Sequence, residues 1–200
     1  MTEGEIEKEI CHQIAEALEV SPDEISPGSR FFEELGVESI DLLDISFRLE
    51  RAFLVRMPNS DLLQRSIYRF GEDRLMRPDG RLTEFGFKLF RKAMPEADEG
   101  ALHADMPASE LRFLITPRTF GRVVSRLLAH KAAASRVCSE CAGALEESKN
   151  TTEFICADCG QVVPLRPGDD VLMDDLAAIA VDLGEPADHA EDSASNGQPG

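Results

Sequence analysis

Four cysteines carry the spacing that points most directly to chemistry. Two residues separate Cys138 from Cys141 and Cys156 from Cys159, and fourteen residues separate the pairs. Each C-x2-C turn aims two thiolates at one point, and two such turns complete a tetrahedron around a metal, zinc being the expected one. All four ligand positions are cysteine, which leaves no place for water or substrate and makes the site structural. A segment this short builds little core, so the metal would supply its folding energy. Two disulfides or a redox C-x-x-C are the competing readings. The fifth cysteine, Cys11, reads as an inert thiol on a helix; its neighbour His12 points away from it. His103, His130 and His189 are assigned no role.

A second stretch bears chemistry through a serine. Phe31-Phe32-Glu33-Glu34-Leu35-Gly36-Val37-Glu38-Ser39-Ile40-Asp41-Leu42-Leu43-Asp44-Ile45 places Ser39 at the head of a helix, after a loop that Gly36 lets turn sharply. It resembles the acyl carrier protein family, in which a leucine-glycine pair precedes an acidic-serine-apolar triplet that opens the second helix. The resemblance is good over residues 5–54 and loose beyond. It implies that Ser39 is the attachment site of 4′-phosphopantetheine, with Glu38, Asp41 and Asp44 docking basic patches on partner enzymes. A phosphodiester there would meet unpaired N–H groups and the positive end of the helix dipole. Serine is also a common N-cap, and acids near a helix start are ordinary dipole complements. The triplet departs from the family in having Glu38 for aspartate and Ile40 for leucine. The module over 136–166 resembles a zinc ribbon.

The elements that must position these residues are legible from periodicity and caps. Ile6, Ile10, Ile14 and Leu18 predict an amphipathic helix over 3–19. Pro22, Pro27 and Gly28 predict a loop, whose Phe31, Phe32 and Leu35 pack down on a core. The second helix is expected over 39–53 with Ile40, Leu43 and Phe47 as its buried stripe. Leu43, Phe47 and Phe32 are candidates to line an acyl cleft, but plain core is the favoured reading. Shorter helices are expected over 61–70 and 84–93, the latter capped by Thr83. Thr116-Pro117 opens a helix over 117–129, followed by a linker over 131–135. Thr151–Ile155 and Gln161–Leu165 are strand-like.

Charge divides the chain further. The 200 residues carry 38 acidic and 21 basic side chains, net −17, with 42% apolar residues. Residues 1–50 are net −11, residues 51–95 net +5, and residues 167–200 hold nine acids and no base. The balance argues against nucleic-acid binding. Without a bilayer-length apolar run or a basic-apolar leader, the chain reads as cytoplasmic. Arg65, Arg69, Arg74, Arg77 and Arg81 are expected to fold against the acidic second helix, to bind an anionic partner, or to form a solvated face.

The expected fold class is all-α: an acyl-carrier-like four-helix bundle with an extended segment before the last helix, plus a small zinc ribbon and a disordered acidic tail. The expected domains are 1–130, 136–166 and 167–200, with a docking helix through Leu172, Leu176, Ile179 and Leu183 as the alternative for the tail. The resemblance implies a non-enzymatic carrier of acyl thioesters in fatty acid, polyketide or related lipid biosynthesis. Its partners would be a phosphopantetheinyl transferase and acyl-transferring or condensing enzymes, with no membrane span. The alternative is an unmodified adaptor recruiting proteins through its ribbon and tail.

Overall fold

A computed structural model describes residues 1–98, 100–148 and 152–188. Helix α1, Glu3–Leu18, starts from Thr2, whose hydroxyl accepts from the Glu5 N–H while the Glu5 carboxylate accepts from the Thr2 N–H. That reciprocal cap leaves two fewer orphan donors. Ile6, Ile10 and Ile14 are buried, as their spacing predicts. The loop after α1 is pinned to the core: Phe31 is fully buried, stacks on Phe120 at 5.3 Å and donates its N–H to the Ile115 carbonyl.

Helix α2, Ser39–Phe53, has the expected bounds but presents a different face. It buries Ile45, Leu49 and Phe53, while Ile40, Leu43 and Phe47 are exposed. The expectation that Leu43 and Phe47 are core is therefore corrected. Both stripes have helical spacing, and the fully occupied packing of Ile45 and Leu49 against Ile10, Ile14 and Val124 selects one of them. Phe32 is half-buried against that same core and meets Phe113 edge-on.

Three further helices follow: α3 at Leu62–Phe70, α4 at Glu72–Leu75 and α5 at Glu84–Ala93, which Thr83 caps as predicted. A 3-10 segment at Ala108–Leu114 leads to α6, Pro117–Ala133, capped by Thr116 and extending through residues expected to be a linker. Strands β1 (Leu145–Glu147), β2 (Glu153–Cys156) and β3 (Val162–Pro164) form an antiparallel sheet in that order, with Leu145 opposite Cys156 and Phe154 opposite Val163. Thr151, at the start of the predicted strand, lies outside the described residues.

The acidic C-terminal segment is ordered over most of its length, which corrects the expected disordered tail. Helix α7, Gly168–Asp182, buries Val171, Leu172, Leu176, Ala177 and Ala180. It docks on helices of this same chain. Val171 and Leu172 join the core of α1, α2 and α6, and Leu176 and Ala180 join a second core built from Phe70, Leu75, Leu89 and Phe90. The fold is thus helical with a small sheet, but its helices surround two cores rather than one four-helix bundle. The rest of the tail, including His189, lies outside the described residues.

The basic segment pairs with this helix and with the residues after it, not with α2. Arg69 meets Asp188 at 2.6 Å, Arg74 meets Glu185 at 2.9 Å, and Lys92 meets Asp182. Arg77 instead pairs with Asp105, and Arg81 donates to the Asp105 carbonyl.

Asp169 is the most connected of these acids. It accepts from the Asn59 N–H at 2.8 Å, from the Ser60 hydroxyl at 2.5 Å and from buried Arg65 at 3.4 Å. Burial pushes its carboxyl up, but the Ser60 and Asn59 bonds and the Arg65 charge outweigh that and hold it below the ordinary aspartate value. A depressed folded-state pKa contributes stability above the unfolded value that is lost as pH falls through the folded one. Asp169→Asn should therefore cost about 2–4 kcal/mol at neutral pH, because it leaves Arg65 buried and unpaired. The gap to wild type should shrink below the ordinary carboxylate range. Denaturant titrations across pH measure both.

Candidate functional site

Ser39 is the first residue of α2, and it is exposed. Glu38 is the N-cap, and its N–H is taken by the Asp41 carboxylate at 2.7 Å. The helix start is thus capped by its neighbours, and the Ser39 hydroxyl is not the capping group. Gly36 turns the chain with φ +65, and Val37 is buried with its N–H on the Phe31 carbonyl. A rigid loop therefore delivers an exposed hydroxyl to a helix N-terminus, where first-turn N–H groups have no helical partner. The arrangement suits a phosphate ester on that oxygen.

Of the three predicted docking acids, Glu38 and Asp44 are exposed and Asp41 is partly exposed. Asp44 pairs with Arg48 at 2.8 Å, one turn on, as their spacing suggested, so its charge is partly neutralised. The exposed Ile40, Leu43 and Phe47 share this outer part of the helix with them. Ser39, Leu43 and Phe47 also border a cavity of about 770 Å³, which α7 helps to wall. The far walls come from segments distant in sequence, so local periodicity gave no sign of the cavity.

The four predicted ligand cysteines converge. Their sulfurs all lie within 4.8 Å of one another, with Cys138 and Cys159 at 3.7 Å and Cys141 and Cys156 at 3.4 Å. Four sulfurs at about 2.3 Å from a central zinc would stand about 3.8 Å apart, so the set fits a tetrahedral S4 site. The two knuckles are internal copies of one another. The Ala142 N–H bonds the Cys138 carbonyl as the Gly160 N–H bonds that of Cys156, both at 3.0 Å. The Cys138 N–H reaches Gly143 as the Cys156 N–H reaches Gln161.

Backbone N–H groups also point at the sulfurs. Those of Cys159 and Asp158 bring the Cys156 thiol down to about 7. At Cys141 the Gly143 N–H lowers the value, but the neighbouring Cys159 and Cys156 thiols outweigh it and push Cys141 up to about 12. Four thiols this close resist joint ionisation unless a cation compensates. Cys11 behaves as an inert thiol should: burial, then Glu7, pushes it up.

The ribbon is tied to the helices. Lys131 near the end of α6 reaches the Leu54 carbonyl at 3.1 Å and Glu147 of β1 at 2.9 Å, and Arg136 stacks over Phe154. Among the described residues, no helix is long and apolar enough to cross a membrane.

Comparison with known proteins bears on the first half of the chain. The family described as "Phosphopantetheine attachment site" matches residues 8–67. An acyl carrier protein from Chlorobium phaeovibrioides is 36% identical over 61 residues, covering 30% of this chain and 78% of that relative. One from Chlorobium luteolum is likewise 36% identical over 61 residues, with the same coverage. The acyl carrier protein AcpXL from Brucella melitensis is 42% identical over 45 residues, covering 22% of this chain and 48% of its own length.

The knuckles yield a prediction of their own. The residue after each second cysteine has a positive φ, 60 at Ala142 and 73 at Gly160. Glycine tolerates this region and alanine does not, at roughly 1–2 kcal/mol. Ala142→Gly should therefore stabilise the ribbon by up to about 1 kcal/mol, and Gly160→Ala should cost about 1–2 kcal/mol. The chelator concentration that unfolds the metal-loaded ribbon reads out both.

Proposed function

The chain belongs to the acyl carrier protein family, and we propose that it carries acyl groups on a 4′-phosphopantetheine attached through the Ser39 hydroxyl, for delivery to separate enzymes. When bound, that group supplies a thiol able to hold acyl groups as thioesters. The observation that carries the reading is the exposed Ser39 at the head of a helix whose cap is made by Glu38 and Asp41. The hydroxyl is left free for esterification, and the loop behind it is held by Phe31 and Val37.

The chain's own residues position and present; they catalyse nothing. Glu38 and Asp41, with Asp44 held by Arg48, give the helix start an acidic surface that steers a basic phosphopantetheinyl transferase and acyl-transferring or condensing enzymes toward Ser39. Such cargo belongs to fatty acid, polyketide or related lipid biosynthesis. Cys138, Cys141, Cys156 and Cys159 hold a structural zinc that fixes the ribbon over 136–166. The carrier region proper falls within residues 1–130.

Intact mass spectrometry after incubation with coenzyme A, magnesium and a broad-specificity transferase should show the gain of one phosphopantetheine in wild type. Ser39→Ala should show none. A folded wild-type chain that gains no mass with several transferases would instead favour an unmodified adaptor. The same spectrum under native conditions should count one zinc, lost when Cys138 and Cys156 are both changed to serine.

A further inference from the structure

A second cavity, of about 260 Å³, opens where the helical bundle, the ribbon and α7 meet. That is just under the range of about 300–1,000 Å³ that drug-sized ligands occupy, so it suits a smaller one. Its floor is apolar: Val55 after α2, Leu127 of α6, Leu165 after β3 and Val171 of α7 are all buried. Its polar side chains are all basic: Arg56, His130, Lys131 and Arg166. Three separate stretches of a chain with net charge −17 supply them, and no carboxylate among the described residues borders the cavity.

Ordinary structural duties account for only part of this basic set. Lys131 donates to the Leu54 carbonyl at 3.1 Å and meets Glu147 at 2.9 Å. Lys131 and His130 also lie in the last turn of α6, where a base complements the helix dipole. Arg166 stands at the other kind of helix end. It precedes α7, where the dipole disfavours a cation, and it meets Asp174 at 2.6 Å. Arg56 is half-buried and meets no carboxylate among the described residues; its guanidinium donates only to the Leu165 carbonyl, at 3.5 Å. A half-buried guanidinium without a counter-ion gains strongly from an anion placed against it. An uncharged ligand would gain from the floor alone, and a cationic one would be repelled by the rim.

We infer that this cavity binds a small carboxylate, whose apolar body rests on Val55, Leu127, Leu165 and Val171 and whose charge is met by Arg56, with His130 and Lys131 beside it. The inference does not depend on the carrier reading, because the cavity lies past the end of α2 that is opposite Ser39. A ligand held there touches the bundle, the ribbon and α7 together, so it binds their assembled form and stabilises it.

The test titrates hexanoate into the full chain at neutral pH and follows the methyl groups of the four floor residues by NMR. Their shifts should saturate, with half-saturation at about 1 mM or below. Hexanol lacks the charge, hexylamine reverses it, and inorganic phosphate lacks the apolar body. Each should bind at least about tenfold more weakly than hexanoate. Arg56→Gln should weaken hexanoate at least about tenfold, the loss of one charge-assisted hydrogen bond. If that variant fails to fold by circular dichroism, the comparison of the four probes on the wild-type chain decides. Hexanol, hexylamine or phosphate binding as tightly as hexanoate overturns the proposal. So does a lack of saturation by about 10 mM, or full hexanoate affinity in a folded Arg56→Gln chain.

Discussion

Docking of the acidic helix α7 is the interaction on which the rest of this structure depends. Its first half completes the core of α1, α2 and α6, and its second half completes the core built from Phe70, Leu75, Leu89 and Phe90. Burying each Leu or Val side chain is worth about 1.5–3 kcal/mol. An exposed ion pair is worth about 0–1 kcal/mol. Burial of Val171, Leu172 and Leu176 therefore supplies most of the attraction, and the ion pairs to Arg69, Arg74 and Lys92 set where along the molecule the helix lies. The buried contact of Arg65 with Asp169 fixes its first turn to the loop after α2. Four of the ten bases in residues 51–95 meet four of the nine acids in residues 167–200, so two separated stretches of opposite charge share one intramolecular contact.

This contact also shapes the candidate site. In α2 one face is buried in the bundle, and the opposite one carries Ile40, Leu43 and Phe47 into the open beside Ser39. The end of α5, the 3-10 segment and α7 stand across from part of that outer face and leave a cavity between. The ribbon sits at the base of the same assembly: Leu165 closes its small core, and Gly168 begins α7 three residues later. Lys131 ties β1 to the C-terminal end of α2. Ribbon, helix and cavity wall are thus consecutive along the chain.

Local signals were legible wherever one residue or one short period determined the outcome. Thr83 and Thr116-Pro117 mark their helix starts, the isoleucines of α1 mark its buried face, and the paired C-x2-C turns mark the thiol cluster. The helix start at Ser39 was legible because its whole neighbourhood, from Phe31 to Ile45, agrees with one family. The buried face of α2 was not. Ile40, Leu43 and Phe47 follow helical spacing as well as Ile45, Leu49 and Phe53 do, so periodicity alone permits either face. The order of α7 was hidden because nine acids without a base read locally as a solvated tail, and the arginines that compensate several of them are about a hundred residues away. The knuckle backbone was not legible: Gly160 takes a positive φ in one knuckle, but in the other it is Ala142, not the glycine beside it, that does so.

Amide hydrogen exchange on the full metal-loaded chain tests most directly whether α7 is integral to the fold. If it unites the two cores, the amides of Leu172 to Ala180 open with the same free energy as those of α5 and α6, in one cooperative unit. Exchange of α7 at unprotected rates, while α1, α2 and α6 remain protected, would contradict the account and return the segment to a free acidic tail.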